Sequence, residues 1–248
     1  MPSSRCAILL AAVVLLASWQ VAALALDTMA LPEPWRVFVL IKRMLADGSL
    51  AGHLAISLAR ALGGILLALG AAVPLGLITG SERWWDRRLS PFIYLLYPIP
   101  HVVLLPLVIL LFGIGNLSKI VLIGLIVFFQ ILVTTRDAAR AIHPNYLLTM
   151  RTLGASRAQI YRHVIWPATL PRILTALRIS IGTAVAILFF VESFATTRGL
   201  GFVIMDAWGQ ADYERLYAGI VAMAALGLCL YLLLDLVEER VCRWTRTA

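Results

Sequence analysis

The sequence is 248 residues long, 61% hydrophobic and only 14% charged, with a mean hydropathy of +0.91 and a formal net charge of +8. A soluble domain of this length is far more polar, so composition excludes a soluble enzyme. The basic balance would point a soluble domain toward nucleic acid, but here the charges lie between apolar blocks.

Each block is about 20 residues, the length at which a helix crosses a ~30 Å hydrocarbon core. They predict an all-α, polytopic membrane helix bundle of about six transmembrane helices, one domain over residues 1–248. The spans are Cys6–Leu26, Leu54–Thr79, Pro91–Phe112, Leu117–Thr134, Ile179–Ala195 and Leu216–Val237. No composition break or obvious repeat marks a second domain. Cys6, Cys229 and Cys242 fit no metal-ligand or redox spacing and read as ordinary helix residues.

The first block follows Arg5 and ends in Ala22, Ala23 and Ala25, which leaves a cleaved signal peptide and an uncleaved helix both open. Its length favours the helix. The next stretch, Leu31–Leu50, carries Val37, Leu40, Ile41, Met44 and Leu45 at helical spacing beside Lys42 and Arg43. That pattern predicts a short helix lying on the outer surface. Span two holds Arg60 and a G-x-x-x-G at Gly76 and Gly80, a helix-packing signal. Span three holds Pro91, Pro98, Pro100 and Pro106, so it must be bent or locally unwound. Broken backbone at membrane depth faces protein or a cavity. Pro98, Pro100, His101 and Pro106 are therefore candidate path residues, with packing kinks and a core histidine as the alternatives.

The loop of about 40 residues from Thr135 to Leu177 is long for a compact membrane protein. Pro144 suits a helix start, and Gly154 suits the left-handed residue that ends it. Ser156 and Gln159 fit a capping box that starts a second helix. That helix is expected to stop near Trp166 before Pro167, and Pro171 to break the chain again. The hairpin's apolar residues are Leu147, Met150, Leu153, Ile160, Tyr161 and Val164. Packing on the bundle's own underside and docking of a partner are both open.

Span five ends near Glu192. Arg60 and Glu192 lie at similar depth from the outer ends of their spans, and intramembrane ionisable groups either pair or line a pathway. An Arg60–Glu192 ion pair is expected, with Arg198 as the alternative partner and Glu192 also a candidate for the path. The segments before span one, between spans two and three, between four and five, and after six hold 14 of the 21 Lys and Arg. The excess marks the cytoplasmic side, with both termini in the cytosol.

Leu153-Gly154-Ala155-Ser156 and Val164-Ile165-Trp166-Pro167-Ala168-Thr169-Leu170-Pro171 resemble the EAA loop of binding-protein-dependent ABC transporter permeases. That pattern is E-A-A, three residues, Gly, nine residues, I-x-L-P. Gly154 and Pro167 stand at its spacing, but Leu148, Thr149 and Met150 replace the E-A-A. His53-Leu54 with Ser57-Leu58-Ala59-Arg60 resembles the opening of the nitrate/sulfonate/taurine branch. Tyr97-Pro98-Ile99-Pro100, Leu105-Pro106 and Phe112-Gly113-Ile114-Gly115 resemble its third span. Glu192 and Thr197-Arg198-Gly199-Leu200-Gly201 resemble its fifth span and the loop after it.

The resemblance implies an importer subunit of a bacterial inner membrane. Its partners would be cytosolic ABC ATPase subunits, a periplasmic substrate-binding protein and a second copy of the permease in a homodimer. Met150, Leu153, Gly154, Ala155, Ser156, Tyr161 and Pro167 would couple to the ATPase. The cargo would be a small polar solute, either an anion such as a sulfonate or nitrate, or a vitamin precursor. No G-x-x-x-x-G-K-[ST] occurs, so ATP and Mg are expected on the partner, with no cofactor, metal or catalytic residue on this chain. An ion-gradient transporter is the rival reading, but the several midplane acids and inverted repeats it calls for are missing. A membrane enzyme would need clustered His, Asp or Cys, whereas His53, His101, His143 and His163 lie in separate elements.

Overall fold

The computed structural model describes the backbone of residues 2–194 and 196–246, with the side chains of residues 10–194 and 196–244. The side chains of Arg5, Cys6 and Arg246, and the expected span end at Ala195, lie outside the described residues. Among the described residues every regular element is helical. The α-helices are α1 (Pro2–Leu26), α2 (Pro34–Ala46), α3 (Ser49–Ser81), α4 (Arg83–Leu96), α5 (Leu105–Phe112), α6 (Asn116–Arg140), α7 (Pro144–Thr152), α8 (Arg157–Ile160), α9 (Trp166–Glu192), α10 (Leu200–Gly209) and α11 (Tyr213–Val241). Two compact units divide the chain, Met1–Ser57 with Glu192–Ala225 and Leu58–Val191 with Leu226–Ala248.

Among the described residues four helices are long and apolar enough to span a membrane: Ser49–Ser81, Asn116–Arg140, Arg157–Glu192 and Tyr213–Val241. The bent pair Arg83–Leu96 and His101–Phe112 makes a fifth, and Leu10–Leu26 of α1 is a shorter apolar helix. Six spans were expected, and the difference lies in how α1 and the bent pair are counted.

In the first unit, the Trp19 indole donates to the Pro32 carbonyl (3.1 Å) and the Gln20 amide donates to Glu33 (2.8 Å). These bonds tie the end of α1 to the start of α2. The Gln20 bond, with Arg36 close by, holds the Glu33 carboxyl below its usual pKa. Pro34 opens α2, as a proline can where no amide donor is needed. Val37 and Met44 are the buried members of the expected stripe, while Leu45 is exposed.

In the second unit, α3 lies against α6 along a row of glycines. A Cβ on Gly64 would come within 2.5 Å of Ile123, one on Gly76 within 2.7 Å of Thr135, and one on Gly80 within 2.4 Å of the Arg136 carbonyl. The G-x-x-x-G is thus a close backbone approach, the kind of contact that holds helices together where lipid removes the hydrophobic drive. Midway along α6, Gln130 accepts from the Ser180 hydroxyl (3.1 Å) and donates to Thr183 of α9 (3.2 Å). Arg178 of α9 reaches Asp235 and Glu238 of α11, each within 3 Å.

Span three is broken, as its prolines require. The two helical pieces meet at 81°, with Pro98 and Pro100 in the break and a 3-10 turn at His101–Leu104. Pro106 sits in the first turn of α5, where its missing N–H costs nothing.

Candidate functional site

The hairpin after α6 is built from local signals. The His143 ring nitrogen caps α7 by accepting from the Asn145 amide (3.3 Å), and Pro144 is the first helical residue. At the other end Gly154 adopts φ 75°, a left-handed value that suits glycine. The Gly154 amide donates to the Arg151 carbonyl and the Ala155 amide to the Met150 carbonyl, both at 3.0 Å. Together they form a Schellman cap. Ser156 and Gln159 then make the reciprocal capping box, with the Ser156 amide 2.7 Å from the Gln159 oxygen.

The expected stop near Trp166 is overturned. The chain passes from α8 through a π turn at Tyr161–Ile165 into α9, and the Trp166 amide reaches back to the Tyr161 carbonyl. The wider turn resets the hydrogen-bond register. Pro167 then falls in the first turn of α9, where its missing donor is tolerated. Pro171 is an interior proline of α9 and does not break it.

The open question between packing and docking divides along the hairpin. Ile160 and Ile165 are buried. Leu153, at the apex, is 76% exposed, with Leu148 at 61% and Tyr146 at 66%. Met150, Ala155, Tyr161 and Pro167 are half-buried. Tyr161 donates a long hydrogen bond (3.4 Å) to Glu82, and Arg157 lies 4.0 Å from the same carboxylate. Between the hairpin and the start of α4 is a cavity of about 940 Å³.

One network at the base of this region was not foreseen. Arg136, with its side chain only 2% exposed, donates twice to one Asp86 oxygen (2.9 and 2.8 Å) and also to Ser90 (2.6 Å) and Tyr94 (3.3 Å). Arg140 pairs with the other Asp86 oxygen. The signal was present in the sequence. Asp86 and Ser90, like Arg136 and Arg140, are four apart and share a helix face.

Of the candidate path residues, Pro98, Pro100 and Pro106 are exposed, and half-buried His101 stacks on Phe129 with centroids 4.6 Å apart. Arg60, 4% exposed, donates to the Asn116 side chain at 2.9 and 2.7 Å. Glu192 is fully buried at the head of α10. Its carboxylate accepts from the Ser57 hydroxyl (2.8 and 2.9 Å) and from the Gly201 amide (3.0 Å). The Leu200 amide donates to Ser57 (2.8 Å) and the Gly199 amide to the His53 ring (3.0 Å). Three successive amides at a helix start are thus met by side chains, as the helix end requires. The expected Arg60–Glu192 pair joins residues of different units, and each has this polar setting within its own unit.

Residues 72–243 match the family described as binding-protein-dependent transport system inner membrane component. The chain belongs to this family. The permease is 36% identical to the taurine transport system permease protein TauC of Escherichia coli over 94% of its own length and 87% of TauC. It is 33% identical to SsuC of Bacillus subtilis, a permease named for aliphatic sulfonates transport, over 95% and 86% of the two chains. Its fold is that of a chain in an inward-facing structure of the MetNI methionine ABC transporter, with a TM-score of 0.64 at 21% identity, covering 78% of the permease and 94% of that chain.

Proposed function

We propose that the permease is the path-forming subunit of an ATP-driven importer and that the α7–α8 hairpin is its coupling element. The single observation that carries this is the outward display of Leu153 on a turn held by a Schellman cap and a capping box. An apolar side chain on so rigid a turn suits a groove in a partner. Closure of an ATPase pair would push on α7 and, through the unbroken α8–π–α9 segment, on span five. The bent third span would line the route between inward- and outward-open states.

In this reading the chain hydrolyses nothing itself. ATP and Mg belong to cytosolic ATPase subunits, a periplasmic binding protein delivers cargo, and two copies of the permease form the membrane unit. The arginine-rich segments face the cytosol together with both termini. The names of TauC and SsuC favour a small sulfonate as cargo. The test is co-purification: the tagged permease should retain its ATPase in a fixed ratio and a second copy of itself. A permease that purifies alone, or with a different permease chain, contradicts the reading.

A further inference from the structure

The hairpin carries charge of one sign. From Ala138 to Val191 the sequence has no Asp or Glu, while Arg140, Arg151, Arg157, Arg162, Arg172 and Arg178 fall within it. Arg140 is matched by Asp86 and Arg178 by Asp235 and Glu238, while Arg157 stands 4.0 Å from Glu82 with its side chain 90% exposed. Arg151 and Arg157 stand on either side of the Leu153–Gly154 apex, both exposed, and both line the 940 Å³ cavity. Of its other lining residues, Arg83 and Arg140 are cationic and Glu82 alone is acidic. Leu148 occupies the place where the E-A-A pattern has a carboxylate.

Resting on the coupling reading above, we propose that the hairpin docks on an acidic surface of the ATPase, with Leu153 entering an apolar groove and Arg151 and Arg157 meeting carboxylates at its edge. An apolar centre with a charged rim is the ordinary anatomy of a protein interface. Opposite charge across the rim sets register and speeds encounter. A bilayer surface is the poorer fit. A helix lying in the interface needs its apolar residues gathered on one face, whereas Tyr146, Leu147, Leu148 and Met150 are spread round α7.

The test uses the permease co-expressed with its ATPase and binding protein. The sequence has two lysines, Lys42 on α2 and the buried Lys119, so Arg151→Lys and Arg157→Lys each place a new amine beside the apex without changing charge. A carbodiimide should join that amine to an Asp or Glu of the ATPase, located by mass spectrometry. Arg151→Glu with Arg157→Glu should weaken ATPase retention roughly tenfold at low salt, a difference that shrinks as salt rises toward about 1 M. Retention equal to wild type, or no cross-link from either amine, overturns the proposal. Loss confined to binding of anionic phospholipid vesicles, with the ATPase retained, assigns the arginines to the bilayer and overturns it too. A wild-type permease that retains no ATPase overturns the coupling reading itself, and this proposal with it.

Discussion

Glu192 does two jobs with one carboxylate, accepting from Ser57 and holding the Gly201 amide at the head of α10. Gly199 makes room for it. Its φ is 123°, and a Cβ there would lie 2.3 Å from the Glu192 carboxyl carbon. Gly199→Ala should therefore lose about 1–3 kcal/mol, read as a lower midpoint in thermal unfolding of the purified protein. Gly209→Ala is the control, because its Cβ meets nothing within 4 Å, and it should show no such loss. The sequence marked Glu192 as an acid inside a span, but it did not point to the Ser57 hydroxyl as a donor to it. Ser57 is 135 residues away, and no local pattern links two such positions. Asp86 makes a second case. Asp86→Ala strands Arg136, whose side chain is 2% exposed, and should cost about 3 kcal/mol. Arg140→Ala, with a side chain 42% exposed, should cost less than about 1 kcal/mol. Equal losses would remove Arg136 burial as the cause.

At the level of elements, the hairpin was legible because its signals are local. Pro144, Gly154, Ser156 and Gln159 each act within a few residues, and each does what its type predicts. The continuation through Pro167 was not legible. A proline is a helix breaker only in the ordinary register, and the π turn before Trp166 changes that register. The capping by His143 was likewise unforeseen, since histidine is not a usual cap residue. The α3–α6 contact gives a direct test of packing. Gly80→Val should lower yield and thermal stability sharply, because a Cβ there lies 2.4 Å from the Arg136 carbonyl. Gly70→Val carries the same β-branched cost in the same helix, yet its Cβ meets nothing within 4 Å. Similar losses for the two would contradict the close-approach account.

For the whole molecule, composition and block length were enough to give an all-helical membrane protein, because the bilayer sets a length that few other folds require. The division between buried and displayed hairpin residues needed three dimensions, since Ile160 and Leu153 are equally apolar in sequence. In the proposed coupling, the displayed apex transmits the ATPase stroke. That transmission is tested most directly by reconstituting the full transporter in vesicles with Leu153→Asp and measuring uptake beside ATP hydrolysis. The expected result is normal membrane insertion, uptake reduced at least about tenfold, and hydrolysis no longer stimulated by the loaded binding protein. Wild-type uptake with stimulated hydrolysis in Leu153→Asp would contradict it.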